Sequence, residues 1–223
     1  MTAIMSLKNI SKIYKTGDEN TAALDGVSID IQEGEFVAIM GPSGSGKSSL
    51  MHIIGLLDTA TKGSYQLNGQ DVSKLSSSRQ AEIRNNEIGF VFQQFNLLPR
   101  TTVTDNILLP TIYGKITNPE QRAIELAEEV GLGDKKHNKS NQLSGGQIQR
   151  VAVARALVMN PSIILADEPT GNLDTKTSIE IMNLLKEINK KGATIVLITH
   201  EAEIAKFASR TIHLRDGKIE SEI

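Results

Sequence analysis

The chain contains no cysteine, which excludes disulfides and thiolate metal sites and agrees with a reducing compartment. An excess of one charge is missing too. The 24 Lys+Arg against 26 Asp+Glu leave a formal net charge of -2, so nothing electrostatic points to nucleic acid as a partner. No apolar run approaches the roughly 20 residues that span a bilayer, and the opening MTAIMSLKNISK lacks the hydrophobic segment of a signal peptide. These absences lead us to expect a cytoplasmic chain. Internal repeats, low-complexity tracts and coiled-coil heptads are likewise not found.

The 223 residues, 39% hydrophobic and 22% charged, suit a folded protein with one core and one satellite lobe. Val27, Ile29 and Ile31 alternate with Ser28, Asp30 and Gln32, the period of a strand with one buried face, and this strand is expected near a sheet edge. Three runs, FVAIM (36–40), SIILAD (162–167) and ATIVLITH (193–200), are apolar on both faces, as central parallel strands are. Helix-like stretches separate them, so the fold class is α/β: a parallel sheet flanked by helices, with an antiparallel β part. Asn-Gly in YQLNG (65–69) and Asp-Gly in LRDGKIE (214–220) predict hairpins.

Between about 73 and 159 helical patterns dominate: SSRQAEIRN, then Asn118-Pro119 opening AIELAEEVGL, then QIQRVAVARALVM. Only IGFVF (88–92) reads there as a strand. Residues 95–160 are therefore expected to form a helical lobe inserted into a core made of 1–94 and 161–223.

GPSGSGKS (41–48) matches G-x-x-x-x-G-K-[ST] between a buried strand and the apolar helix SSLMHIIGLL. At ordinary glycine usage such a match arises by chance in about one chain per hundred, and its strand and helix context lowers that further. Its glycines let backbone N–H groups converge on phosphate oxygens, Lys47 reaches the terminal phosphates and Ser48 offers a hydroxyl to Mg²⁺. Asp167 and Glu168 follow four aliphatic residues at the carboxyl end of a parallel strand, where one acid can face the Mg²⁺ and the next can hold an attacking water. Guanine specificity has no support: the Asn-Lys pairs continue as NKKG (189–192) and NKSN (138–141), without the Asp that guanine recognition uses. LSGGQIQR (143–150) looks like a second helix N-terminus suited to an anion.

Tyr14, GPSGSGKS, Gln93, LSGGQ, LADEPTGNLD and His200 stand in the order and spacing of the nucleotide-binding subunits of ATP-binding cassette (ABC) transporters, and this resemblance spans nearly the whole chain. EIRNNEIGFVFQQFNLLPRTTVTDN and ADEPTGNLD resemble the branch of the macrolide and antimicrobial-peptide exporters and the lipoprotein-release ATPase, the MacB/LolD-like branch.

The resemblance implies an ATPase with ATP and Mg²⁺ as its cofactors. Tyr14, placed ahead of the first sheet, would stack on adenine, or is simply an edge or core aromatic. Gly41, Ser43, Gly44, Ser45, Gly46, Lys47, Ser48 and Ser49 would bind the phosphates; Ser48, Gln93 and Asp167 would hold Mg²⁺; Glu168, His200 and Gln93 would be catalytic. Gln94 sits beside Gln93, but the family's glutamine directly follows this strand. His52, His137 and His213 match no motif and read as structural.

One nucleotide cannot occupy two cradles in separate lobes. The resemblance therefore implies a head-to-tail homodimer, in which Ser144, Gly145, Gly146 and Gln147 of one copy close over the γ-phosphate held by Lys47 of the other. Asp174 would face the second subunit while also capping the helix TKTSIEIMNLLKEI. A separate transmembrane permease is the further partner implied, with a periplasmic or extracellular accessory protein an open addition, placing the chain peripherally on the inner face of the cell membrane. Phe95, Leu97, Leu98 and Pro99 offer that permease an apolar patch, or pack inside the helical lobe. An exporter is the first reading; a subunit that signals across the membrane, as in cell-division regulation, is the alternative.

Overall fold

The computed structural model describes residues 3–17 and 19–223. Two long strands, β1 (Ala3–Thr16) and β2 (Glu19–Gln32), precede β3 (Phe36–Met40) and helix α1 (Lys47–Ile54). The chain continues through β4 (Lys62–Leu67), β5 (Gln70–Asp71), α2 (Ser77–Glu87) and β6 (Ile88–Phe92). Three further helices follow, α3 (Val103–Leu108), α4 (Pro119–Glu129) and α5 (Gly145–Leu157). It returns to strands with β7 (Ile163–Asp167), α6 (Thr175–Lys190), β8 (Thr194–Ile198), α7 (Ala202–Ala205), β9 (Arg210–Arg215) and β10 (Lys218–Glu222).

These strands make an antiparallel sheet in the order β2-β1-β4-β5 and a six-stranded sheet in the order β10-β9-β3-β8-β7-β6, parallel except at β10. The edge position of β2 is the one its alternation predicted. Both hairpins form, with Asn68-Gly69 and Asp216-Gly217 at positive φ of 50°, 72°, 48° and 76°, the left-handed pair that twists two strands together correctly. Tyr14 does not precede the first sheet: it lies within β1, opposite Thr21. β1 hid from the period-two reading because register shifts on both sides of Asn9, itself at φ 50°, break the alternation of Met5 and Leu7 before Ile10.

The parallel sheet separates two apolar clusters, and the pleat decides which residue joins which. Val37, Ile39, Ile163, Leu165, Val196 and Ile198 face α1 and the antiparallel sheet. Phe36, Ala38, Ile164, Ala166, Ile195 and Leu197 face the other way, toward α3 to α6. This is why these strands read as continuous hydrophobic runs. Since β3, β6, β7 and β8 all point one way, their carboxyl ends share one rim. Ile39, Ile198, Asp167 and Phe92 stand in a single register row across it. The loops leaving that row carry Gly41, His200, Glu168 and Gln93, the position where open parallel sheets present ligands.

Between β6 and β7 the regular structure is helical, apart from one isolated bridge from Thr102 to Lys139. α3 starts on a Thr102/Asp105 capping box, α4 on Pro119, and α5 on Ser144.

Candidate functional site

The loop after β3 is wedged from both sides. A Cβ on Gly41 would lie 2.1 Å from the Leu214 carbonyl oxygen, and one on Gly46, at φ 101°, would lie 2.4 Å from that of Ala23. Only glycine fits these close approaches of backbone to backbone. The β9–β10 turn completes the wedge: Gly217 N donates to Ser45 O at 3.0 Å and accepts, at its own carbonyl, from Asp25 N at 2.8 Å. The Asp-Gly pair that the sequence showed as a hairpin turn is thus also the buttress of the loop. Lys47 Nζ donates to Gly41 O at 2.7 Å and Pro42 O at 2.8 Å, which holds an ammonium over the loop, and Ser48 is exposed on the first turn of α1. Ser45 is buried, and its Oγ has no partner among the described residues. A glycine-rich loop, a helix N-terminus and a lysine held over the loop fit a polyphosphate.

Burial pushes the Asp167 carboxyl above its ordinary pKa and the neighbouring Glu168 charge pushes it further, with His52 and Lys47 opposing both. His52, read from sequence as structural, therefore belongs to the electrostatics of this rim. A divalent cation would relieve the strain on Asp167. Among the described residues no group of three or more His, Asp and Glu side chains forms a metal cage. The Asp167 and Ser48 oxygens with nucleotide phosphates match the way Mg²⁺ is bound. The raised pKa has a stability consequence. The folded state loses stability as pH rises through it, because the unfolded chain ionises this carboxyl more easily. Asp167→Asn is therefore expected to raise the melting temperature of the metal-free protein at neutral pH by about 2–4 °C, measured by calorimetry. An unchanged or lower value would show that other groups already neutralise Asp167.

Glu168 turns the chain out of β7 at φ 44°, the left-handed region that costs a non-glycine residue about 1–3 kcal/mol. Its N–H donates to Ile198 O at 2.9 Å, and its Oε1 lies 2.7 Å from His200 Nδ1. The turn aims the carboxylate across to the end of β8. Gln93 packs against Gly171, where a Cβ would lie 2.5 Å from its Nε2, and its carbonyl accepts from Asn172 Nδ2 at 2.9 Å; Gln94 is exposed. Two consecutive left-handed residues follow, Phe95 at φ 58° and Asn96 at φ 51°. The Arg155 guanidinium on α5 holds both carbonyls, at 2.9 Å and 2.5 Å. Arg155 escaped the sequence reading, since nothing in an arginine on a helix says which loop it grips.

Tyr14 is 37% exposed, with its hydroxyl donating to Asp58 Oδ2 at 3.0 Å and Lys12 Nζ 4.9 Å from its ring centre. Burial works against the Asp58 charge, but Lys12, the Thr59 N–H and Tyr14 outweigh it and hold the carboxyl below its usual range. The network fixes the ring and leaves it reachable.

Ser144 caps α5 in a capping box: its Oγ accepts from Gln147 N at 3.4 Å and Gln147 Oε1 accepts from Ser144 N at 3.0 Å. The Ser144 hydroxyl proton stays available for an outside acceptor. Gly146 lies against α6, where a Cβ would come 2.4 Å from Thr177 Cγ2, and Gly145 faces Leu173. Asp174 is the α6 cap, accepting from Thr177 N at 3.1 Å and Thr177 Oγ1 at 2.6 Å.

The patch expected at Phe95 to Pro99 divides: Leu97 packs on the core shared by the helices, while Leu98 is 46% exposed. A second apolar feature lies elsewhere, a groove of about 610 Å³ lined by Leu57, Phe90, Phe92, Pro110, Tyr113 and Met159. Tyr113 on it and the adjacent Ile112 are 84% and 68% exposed.

Residues 24–171 match the family profile described as ABC transporter. The chain is 52% identical, over 98% of its length, to a macrolide export ATP-binding/permease protein MacB of Bdellovibrio bacteriovorus, of which it covers 34%. It thus spans about a third of the MacB relatives it matches. It is 54% identical to the uncharacterized ABC transporter ATP-binding protein YvrO of Bacillus subtilis, covering 97% of this chain and 95% of that one. Among solved structures, a dimeric ATP-binding cassette in a post-hydrolysis state bound to ADP and Pi matches with a TM-score of 0.87 at 47% identity, covering 98% of this chain and 97% of that one. A profile match over more than half of the chain, joined to half-identical relatives aligned almost end to end, places this chain in the ABC transporter family.

Proposed function

We propose that two copies of this chain bind two ATP molecules head to tail, hydrolyse them, and so drive a separate membrane permease of the macrolide-export or lipoprotein-release type. The observation that carries this reading is the division of labour within one copy. The loop at 41–48, Asp167, Glu168, His200 and Gln93 leave a common rim of the parallel sheet. Ser144 and Gln147 of LSGGQ, the signature segment, close their hydrogen bonds on each other, and none of the described hydrogen bonds joins them to that loop. They are left with a donor surface for a nucleotide on another molecule, and the dimeric state of the similar cassette supports this.

In each composite site Lys47 and the loop amides hold the triphosphate, Tyr14 stacks on the base, and Ser144 to Gln147 of the second copy reach the γ-phosphate. Glu168 accepts a proton from the attacking water, and His200, 2.7 Å away, orients that carboxylate and contacts the γ-phosphate. Ser48, Asp167 and Gln93 would hold Mg²⁺, which when bound would supply positive charge against the phosphate oxygens. The helical lobe, proposed at 95–160, carries the signature segment and moves with nucleotide state.

Among the described residues no helix is long and apolar enough to cross a membrane. The permease's cytoplasmic helix is assigned to the groove beside Tyr113, whose apolar lining and protruding Ile112 and Tyr113 suit an amphipathic helix better than the half-packed stretch after Gln93. Relatives named as fused ATP-binding/permease proteins support a permease as the occupant. Purification of the tagged chain from detergent-solubilised membranes is expected to bring down a membrane-spanning protein. Tyr113→Asp, which sets a charge in the groove, should release it and leave the ATPase of the isolated chain intact. Capture that survives Tyr113→Asp would move the docking site, and a membrane partner built for signalling would remove the exporter reading.

A further inference from the structure

Gln149 is fully buried on α5 among Val151, Ala152 and Val153, two residues beyond the signature Gln147. Its Nε2 donates to Pro169 O at 2.7 Å and to Phe92 O at 3.4 Å. Pro169 directly follows Glu168, and Phe92 directly precedes Gln93. One amide group thus spans the ends of β6 and β7, beside the proposed base and the proposed water-and-metal glutamine. Its Nε2 lies within hydrogen-bond distance of both carbonyls, which fixes the orientation of the group. Its Oε1 is left buried and without a hydrogen-bond partner among the described residues. A methionine or leucine would fill such a position without that cost, so packing alone does not account for glutamine here.

The same helix grips the following stretch at a second point, where Arg155 holds the carbonyls of the left-handed residues Phe95 and Asn96. α5 is therefore fastened to the backbone on both sides of Gln93, and through Gln149 to the backbone beside Glu168. The two Gln149 bonds are unequal, short toward Pro169 and long toward Phe92, so a shift of the helix alters one more than the other.

We propose that Gln149 is a positioning residue: it makes the geometry of Glu168 and Gln93 depend on where the signature helix sits. The helix then reports engagement of a partner's nucleotide to the base in its own copy, through one side chain and not through the whole lobe. This rests on the two-copy ATPase reading and extends it.

The test compares the wild-type chain with Gln149→Met and Gln149→Glu. Methionine keeps the length of the side chain and removes the orphaned oxygen; glutamate keeps every heavy-atom position and, ionised, loses both donors. The second variant carries the test if the first does not fold. Steady-state hydrolysis of ATP with Mg²⁺, affinity for a fluorescent ATP analogue and melting temperature are measured together. We expect kcat to fall roughly 10- to 100-fold with KM and nucleotide affinity unchanged, because the base and water are misplaced while the cradle is untouched. In a Glu168→Gln background the Gln149→Met chain should still pair in ATP, separating closure from chemistry. A wild-type kcat in the folded variant overturns the assignment, as does a fall in kcat matched by lost nucleotide affinity. If the wild-type chain itself neither hydrolyses ATP nor pairs, the two-copy reading fails; if it does both and the variants equal it, only the Gln149 assignment fails.

Discussion

Glu168→Gln is expected to lower steady-state ATP turnover by roughly 10²- to 10⁴-fold while leaving ATP binding intact. The amide has the size and hydrogen-bonding reach of the carboxylate, so it keeps the left-handed turn after β7 and a bond to His200, but it does not accept a proton from water. Nucleotide is then bound and not consumed. If ATP is the adhesive between copies, the variant should elute as a dimer in ATP and as a monomer in ADP on gel filtration, whereas the wild-type chain separates after each turnover. Wild-type activity in this variant would remove Glu168 from the role of base. The backbone makes the same point from another side: a non-glycine residue held at φ 44° carries a strain that its Ile198 hydrogen bond and the 2.7 Å His200 contact must offset.

Ser144→Arg is expected to abolish hydrolysis almost as completely, by about 10²-fold or more, through a different step. Loss of the α5 cap by itself costs the helix only about 1 kcal/mol, too little to unfold the lobe. The bulk and length of arginine at the mouth of α5 instead keep the second copy from closing. Nucleotide affinity of the single copy should therefore stay at the wild-type value, because no described hydrogen bond runs from Ser144 to the 41–48 loop. Lys47→Ala, in contrast, should lose that affinity directly. The measurement is equilibrium binding of ATP to each variant at concentrations where no dimer forms. Equal losses in Ser144→Arg and Lys47→Ala would mean that the signature segment serves the nucleotide of its own chain, and the composite site would be wrong.

Much of this site was legible before the fold was known, for identifiable reasons. A phosphate loop is specified within a few residues: glycines where φ is positive, a lysine at the helix start, an aliphatic strand before it. Hairpin turns at Asn68 and Asp216, the proline start of α4 and the caps at Ser144 and Asp174 are equally local. Other features were not legible because a local pattern was interrupted or a partner lay far away. The bulge at Asn9 concealed β1 and misplaced Tyr14. Strand β9 showed only as one arm of a hairpin, although it also pairs with β3 in parallel. His52 had no motif, yet it acts on Asp167 across the rim. The patch after Gln93 looked apolar in sequence, but the apolar groove is assembled from the turn after α1, α2, β6, α5 and the turn around Tyr113.

The sequence by itself determined the chemical inventory: which residues could cradle phosphate, accept a proton, cap a helix or sit in a two-faced strand. Each of those properties depends on dihedral preferences and side-chain chemistry within about one turn or one hairpin. The tertiary structure alone decided how the inventory is joined. Gln149 reaches Phe92 and Pro169, Gly217 supports Ser45, and Arg155 holds Phe95 and Asn96, pairs brought together across 20 to 172 positions. Such contacts follow from strand order and from which face of the pleat each residue occupies. The burial that fixes those is a property of the whole sheet, and no short stretch of chain encodes it.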